Sequence, residues 1–379
     1  MNDGSAEGSG NFNILVFNWR CWLNPEAGGA EVFTREVLKR WAKMGHEVTL
    51  FTSCFKGSKK EENKDGIRII REGGKYSVYW KALQTYRRLL SKEGYDVVVD
   101  EINTIPFLTP RFVRNGEKII TLIHQLAKEY WFYETPFPIS FLGYYYLEEK
   151  LLKNYTKIPA VTVSNSTRKD LIELDFEKIF VVGEGLNFEP LLKVSEKEIH
   201  PVIVYAGRLK RAKRPDHAIQ AFSILRKTVP EAELWIIGDG PLREELKKNS
   251  CKNVRFFGAP SNRERRDLIK KSWVLVNPSV REGFGLNIVE ANALGVPCVA
   301  YDVSGLRDSV KDGETGFLVR SGETNALAKA VARLLTNDAL RTRLSERALA
   351  YSRGFSWEKV AKEFISVVET VLQEGLCYN

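Results

Sequence analysis

The chain has 379 residues, of which 44% are hydrophobic, so it is long enough for more than one average domain with its own core. Five scattered cysteines without a Cys-x-x-Cys pair exclude a disulfide scaffold and indicate reduced thiols. The net charge of +9 lies almost wholly in the second half, since residues 1–190 carry +1 and residues 191–379 carry +8. A basic half favours an anionic partner, although solubility alone also accounts for it.

The first eleven residues, 1–11, are rich in Gly and Ser and are predicted to be a disordered tail. They lack the basic and then apolar regions of a secretory signal. No run of about 18 apolar residues occurs elsewhere in the chain. We therefore expect a cytoplasmic protein, with peripheral contact at the cytoplasmic face of a membrane as an open alternative.

Residues 12–190 alternate apolar, β-rich runs with segments of helical period. Because each run is apolar throughout and helices lie between the runs, the pattern predicts a parallel sheet covered on both faces. A Lys/Glu-rich loop is predicted over 56–66. The predicted strands are 12–17, 48–52, 67–70, 96–99, 118–124, 160–164 and 179–182.

Residues 191–354 repeat this rhythm after a polar linker at 193–200. The sequence thus predicts an α/β protein of two Rossmann-like, doubly wound domains that face each other across a cleft. Ligands of such sheets bind at the carboxyl ends of the strands. The predicted strands are 202–206, 234–237, 254–257, 274–276 and 298–301, and the predicted helices lie near 215–227, 241–249, 262–272, 286–294 and 324–336.

The most informative stretch is 277–291. A buried strand ends at Asn277, Glu282 follows a turn, and a glycine-rich segment opens a helix that carries Glu290. A glycine-rich turn at a helix N-terminus binds anions through backbone amides and the helix dipole. The two carboxylates suit hydroxyl groups such as those of a sugar, although a carboxylate at a strand end is also a common structural cap.

Other polar features follow predicted strands. Gly28 and Gly29 come after the first strand and permit close backbone approach to a ligand, although tight turns also use glycine. His124 ends a strand, where a structural hydrogen bond is the simpler interpretation. Arg208 and Lys213 lie in a basic loop after residue 206, where they could hold a phosphate or simply be solvated.

Together these motifs resemble glycosyltransferase family 4, over nearly the whole chain from about residue 12. The resemblance implies the GT-B fold and a retaining enzyme that uses a nucleotide sugar. It implies an acceptor domain over 12–190, a donor domain over 191–354 and a final segment, 355–379, whose helix crosses back to the first domain. The motifs that carry the resemblance are Gly28-Gly-Ala-Glu31, His124, Gly207-Arg208 with Lys213, Gly238-Asp-Gly-Pro241, and Glu282-Gly-Phe-Gly-Leu286 with Glu290.

The resemblance also implies roles for single residues. Arg208 and Lys213 would stabilise the departing diphosphate, with Glu282 and His124 beside the transferred sugar. Because no Asp-x-Asp pair is present to hold a metal, neither a metal nor another cofactor is expected. The remaining implied donor-binding positions are Gly28, Gly29, Gly258, Ala259, Phe284, Gly285, Leu286 and Glu290.

Two positions depart from the family pattern. Arg214 follows Lys213 where many relatives have glycine, which would alter the phosphate loop. The interdomain segment reads Glu184-Gly-Leu-Asn-Phe188 in place of the usual Pro-Asn-Gly.

The acceptor is less well specified. Residues 130–146 contain nine aromatic side chains and directly follow His124. They predict a hydrophobic acceptor groove, a membrane-facing surface or ordinary helix core, and the sequence leaves these open. A basic stripe on the first helix fits either anionic lipid headgroups or a solvated face; its members are Arg35, Lys39, Arg40 and Lys43.

The leading hypothesis is a retaining glycosyltransferase that moves a sugar from a UDP- or GDP-sugar to a glycan or lipid-linked acceptor. A nucleotide-sugar-binding protein without turnover is the alternative. The basic half raises a third hypothesis, nucleic-acid binding. No recognition motif or interleaving of basic and aromatic residues supports it, so no nucleic-acid partner is expected.

Overall fold

The computed structural model describes residues 10–113 and 116–376, so most of the expected tail at 1–11 lies outside the described residues. The first sheet has the order β3-β4-β2-β1-β5-β6-β7-β8. Its strands are β1 Asn13–Phe17, β2 Glu47–Thr52, β3 Glu61–Lys64, β4 Ile67–Arg71, β5 Val97–Ile102, β6 Lys118–Ile123, β7 Ala160–Thr162 and β8 Ile179–Val181. The helices are α1 Gly29–Lys43, α2 Val78–Arg88, α3 Tyr130–Glu134, α4 Ile139–Leu142, α5 Glu148–Leu152 and α6 Asn165–Ile172.

The second sheet is parallel throughout and has the order β11-β10-β9-β12-β13-β14. Its strands are β9 Val202–Ala206, β10 Glu233–Ile237, β11 Val254–Gly258, β12 Val274–Asn277, β13 Cys298–Tyr301 and β14 Gly316–Val319. The helices are α7 Pro215–Leu225, α8 Arg243–Lys248, α9 Asn262–Lys271, α10 Leu286–Ala293, α11 Leu306–Ser309, α12 Thr324–Leu335, α13 Asp338–Ser352 and α14 Trp357–Leu376.

The predicted strands and the doubly wound architecture are confirmed, with three corrections. The loop predicted over 56–66 contains β3, which pairs antiparallel with β4, so the first sheet is not parallel throughout. Its charged sequence, Glu-Glu-Asn-Lys, gave no apolar pattern because this edge strand has a neighbour on one side only. The strand β14 and the helix α13 were not predicted either.

The strand order of each sheet reverses at one point, and these two points locate the cleft. In the first sheet the reversal lies between β1 and β5, and in the second it lies between β9 and β12. Crevices at such switch points are the usual ligand sites of open α/β sheets. The loops after these four strands carry Gly28, Asn103, Arg208 and Glu282.

The last helix belongs structurally to the first sheet. Trp357 at the start of α14 is 1% exposed and packs edge-on against Phe33 of α1. Farther along α14, Phe364 lies against Trp41, whose indole N–H donates to the carbonyl of Ala361 at 3.0 Å. None of the helices in the described ranges combines the length and apolarity needed to cross a bilayer.

Trp357 also fixes the connection between the halves. Its Nε1 donates to Oδ1 of Asn187 at 2.9 Å. Its ring would lie 2.5 Å from a Cβ atom at Gly185, so the tryptophan packs directly on the glycine backbone.

We expect Trp357→Ala to lower the free energy of unfolding by about 3–5 kcal/mol, the usual cost of removing a large buried aromatic side chain. Urea unfolding monitored by circular dichroism measures this change. Trp80→Ala is the matched control because Trp80 is 61% exposed and should change stability by less than about 0.5 kcal/mol. A loss below 1 kcal/mol in Trp357→Ala would contradict the assigned packing.

Candidate active site

The loop between β12 and α10 is held in place by two asparagine side chains. Asn277 donates from Nδ2 to Oδ1 of Asn287 at 3.0 Å, and Asn287 donates to the carbonyl of Ala206 at 2.9 Å. Gly285 begins α10 at φ +91°, a left-handed conformation that favours glycine. The end of β12, the end of β9 and the start of α10 are therefore fixed relative to one another.

This loop brings Glu282 to Lys213. The Lys213 ammonium lies 2.6 Å from Oε2 of Glu282, while Ser279 donates to Oε1 at 2.9 Å. Lys213 also lies over the Tyr130 ring, 5.6 Å from its centroid. Burial favours the neutral amine, but Glu282 and Tyr130 together outweigh burial and raise the pKa of Lys213. A permanent cation thus lies at the cleft.

Arg208 crosses the cleft toward the first half. A Cβ atom at Gly28 would lie 1.9 Å from Nη2 of Arg208, so the guanidinium rests directly against the glycine backbone. Gly29 faces Leu286, whose Cδ1 would lie 3.4 Å from a Cβ atom there. Within the described residues no carboxylate pairs with Arg208, which leaves its charge for an anionic group.

Arg214 has the backbone conformation that glycine adopts easily. Its φ and ψ are +48° and 47°, where a non-glycine residue is strained by about 1–2 kcal/mol. Arg214 thus adopts a conformation that a glycine at this position would adopt without strain. The Arg214 side chain pairs with Asp216 at 3.1 Å.

The expected ribose contact, Glu290, is paired with a residue that the sequence did not single out. Its Oε2 lies 2.6 Å from Nη1 of Arg265 on α9. Gly258 ends β11 at φ +67° and is followed by Ala259, which places both at the same edge of the sheet. Phe284 packs against Phe355, 5.7 Å between ring centroids, and its partly buried side chain lies at the edge of the hydrophobic core.

His124 lies among carboxylates at the end of β6. Its Nε2 is 3.4 Å from Oε1 of Glu101, and its Nδ1 is 4.0 Å from Oε1 of Glu184. Burial pushes the pKa of His124 down, but Glu101, Glu184 and Glu31 outweigh it and raise the pKa. Burial raises the pKa of Glu184 to about 8, so this side chain is mostly protonated at neutral pH.

Two polar contacts close the cleft, and sequence reasoning missed both. Arg281 is 6% exposed and pairs with Asp170 at 2.6 Å and with Glu129 at 2.7 Å, both in the first half. Asp308 of α11 accepts from the backbone N–H groups of Asn165 and Ser166 at 2.9 and 3.2 Å, which caps α6. Partners this far apart in the chain leave no local pattern in the sequence.

Two family profiles match adjoining parts of the chain. The profile described as Glycosyltransferase Family 4 matches residues 27–189, and the one described as Glycosyl transferases group 1 matches residues 189–350. The chain belongs to glycosyltransferase family 4. It is therefore a glycosyltransferase, as its motifs predicted.

Individual relatives agree with this family assignment. The family 4 chain is 25% identical over 400 residues to a D-inositol 3-phosphate glycosyltransferase of Corynebacterium urealyticum, covering 92% of this chain and 93% of the relative. It resembles the structure of sucrose-phosphate synthase from Thermosynechococcus elongatus at a TM-score of 0.80, with 20% identity and coverage of 96% and 100%. Anabaena HepE in complex with UDP-glucose gives a TM-score of 0.70, with 15% identity and coverage of 95% and 100%. The fold is GT-B.

The aromatic run of this glycosyltransferase is largely exposed, which contradicts the interpretation as ordinary helix core. Trp131 is buried, yet the segment that follows it turns most of its large apolar side chains to solvent. We call this surface the aromatic cap. Its exposed members are Phe132, Phe137, Ile139, Phe141, Leu142, Tyr145, Tyr146 and Leu147.

The basic stripe on α1 of the glycosyltransferase is partly neutralised by ion pairs. Arg40 pairs with Glu36 at 2.6 Å and with Glu358 of α14 at 2.9 Å. Arg35 pairs with Asp65 at 3.3 Å. These contacts favour a structural, solvated face over attraction to lipid headgroups.

We expect Glu184→Gln to gain stability relative to the wild type as pH rises from about 5 to about 8. Burial raises the pKa of Glu184 from its ordinary value to about 8, so ionisation favours the unfolded chain between these values. The gain is at most about 1.4 kcal/mol per pH unit and stops above pH 8. Urea unfolding at pH 5, 6.5 and 8 measures it, and a constant difference across this range would contradict the assigned burial.

Proposed function

We propose that this enzyme transfers a hexosyl group from a UDP- or GDP-sugar to an acceptor hydroxyl with retention of anomeric configuration and without a metal ion. The observation that carries the proposal is the meeting of Arg208, Lys213 and the N-terminus of α10 at the cleft. Breaking a glycosyl–phosphate bond leaves charge on the diphosphate, and fixed cations stabilise that charge where it develops. The UDP-glucose held by HepE supports a uridine donor.

The proposed reaction needs no side-chain nucleophile. The bond from the anomeric carbon to the phosphate oxygen breaks while the acceptor oxygen attacks from the same face. The acceptor proton passes to the departing phosphate. Lys213 and Arg208 neutralise the leaving group, and Glu282 lies beside the sugar while it holds Lys213 in place. Glu290 would accept from the ribose hydroxyls, with Arg265 fixing its carboxylate.

We expect Lys213→Ala to lower donor turnover by about 10²–10³-fold, since it removes a fixed cation at the leaving group. Glu282→Ala should also abolish most turnover. Lys210→Ala is the matched control, because Lys210 lies in the same loop and forms only a long ion pair, 3.6 Å, with Glu134. The assay is hydrolysis or transfer with UDP- and GDP-hexoses, with and without EDTA. Wild-type-like turnover in Glu282→Ala, or loss of wild-type activity in EDTA, would contradict the proposal.

We further propose that the acceptor is lipid-linked and that the aromatic cap rests on the membrane that carries it. Residues 135–147 contain no charged side chain, and exposed lysines follow at positions 150 and 157, while Lys153 pairs with Glu149 at 2.8 Å. Aromatic side chains are enriched at membrane interfaces, and cations beside them attract anionic headgroups. The cap adjoins the cleft through α3, because this helix carries both Phe132 of the cap and Tyr130, which contacts Lys213. A polar headgroup could therefore enter the cleft while its tail stays in the lipid.

We expect the full chain to bind vesicles of phosphatidylcholine with phosphatidylglycerol, and the double variant Phe137→Ser, Tyr146→Ser to bind at least tenfold more weakly. Burying one aromatic side chain is worth about 1.5–3 kcal/mol, so two partly inserted rings account for this loss. Cosedimentation measures the partition coefficient.

The matched control for this experiment is Tyr76→Ser, Trp80→Ser, because these aromatics are 80% and 61% exposed near α2. Equal weakening in both variants would contradict the cap as the contact surface. A concentration-dependent dimer that the cap variant abolishes, without vesicle binding, would assign the cap to a second copy of the chain.

A further inference from the structure

Three acidic or basic side chains are gathered and buried at the ends of β5, β6 and β8. The side chains of Glu101, His124 and Glu184 are 0%, 9% and 5% exposed. Each comes from a different loop or strand end of the first half. Nε2 of His124 lies 3.4 Å from Oε1 of Glu101, and Nδ1 of His124 lies 4.0 Å from Oε1 of Glu184.

The hydrogen-bonding capacity of this cluster is not used up. Oε2 of Glu101 accepts from the Thr34 hydroxyl at 2.6 Å. Nε2 of His124 and the other oxygen of Glu101 face only each other, as an ion pair at 3.4 Å, and within the described residues no hydrogen bond reaches Oε2 of Glu184. A buried polar atom without a partner costs about 1–3 kcal/mol. The unpartnered oxygen of Glu184, beside the long contact between His124 and Glu101, therefore indicates that a polar group binds in the cluster.

The cluster lies on the floor of the cleft. A Cβ atom at Gly283 would be 3.0 Å from the carbonyl oxygen of His124, so the loop that carries Glu282 passes directly over it. Glu101 lies near the end of β5, beside the switch point of the first sheet. Glu184 precedes Gly185, which Trp357 holds in place. A group bound here would be on the opposite side of the cleft from the cationic loop of the second half.

We propose that Glu101 and Glu184 join His124 in a subsite that binds hydroxyl groups of the transferred hexose. The new element is the pair of carboxyl groups, and the inference rests on the proposed nucleotide-sugar donor. A protonated Glu184 would donate to one sugar oxygen, whereas the Glu101 carboxylate would accept from a sugar hydroxyl. A site built to hydrogen-bond a hydroxyl rejects analogues that lack it, so these two residues would help to select the sugar.

The experiment compares the binding of UDP and GDP with that of the corresponding hexose conjugates by calorimetry. The ratio of the two dissociation constants isolates the contribution of the sugar. We expect Glu184→Leu to leave nucleotide binding within twofold of wild type and to weaken nucleotide-hexose binding by at least tenfold. Glu184→Gln should restore it, because an amide donates and accepts in the same positions. Glu189→Leu is the matched control, since Glu189 is exposed in the same segment.

Nucleotide conjugates of deoxyhexoses identify the hydroxyl that is held. Removal of that hydroxyl should weaken binding to the wild type at least tenfold and leave binding to Glu184→Leu unchanged. Thermal melting of each variant shows whether it is folded. If folded Glu184→Leu binds the nucleotide and the ratio of the two dissociation constants stays at the wild-type value, the subsite alone is overturned. Absence of binding by either nucleotide would overturn the proposed function and the subsite with it.

Discussion

The arrangement of the site depends on one buried guanidinium, that of Arg281. An unpaired charge at this depth would be strongly destabilising, and two carboxylates from the facing half, Asp170 and Glu129, compensate it. The backbone carbonyl of the same residue accepts from the Tyr130 hydroxyl at 3.2 Å. Because Arg281 directly precedes Glu282, the contact that joins the halves also sets the position of the carboxylate beside Lys213.

The residues that join the two halves also position the cationic loop. Tyr130 contacts Lys213 and the Arg281 carbonyl, so one residue of α3 touches both the cationic loop and the closing contact. Asp308 adds a second closing contact at the N-terminus of α6, where a carboxylate also suits the helix dipole. The side chains of Lys213 and Glu282 are only 24% and 16% exposed. The contacts that join the two halves thus lie beside the cationic loop.

The sequence predicted those parts of the molecule that have a local signature. Apolar runs marked the strands, and glycines beside polar residues at strand ends marked both sides of the cleft. Arg281 and Asp308 could not be found in this way, because their partners lie more than 100 residues away in the chain. The exposure of the aromatic cap was also hidden, since aromatic residues at helical spacing fit a core and a surface equally well. Arg214 was noticed as a departure from the family pattern, but its left-handed backbone conformation, which the side chain does not favour, was not predicted.

The path of α14 limits how this protein can be divided. Hydrophobic side chains of this helix complete the core beneath the first sheet, so that sheet depends on residues more than 150 positions beyond its last strand. A fragment that ends in the linker would expose the apolar face of α1 to water. Only a version that carries the final helix along, through a second covalent connection or as an added peptide, would preserve the first half. The second half is in effect an insertion within the first half, so the two halves are expected to be inherited, expressed and exchanged as one unit.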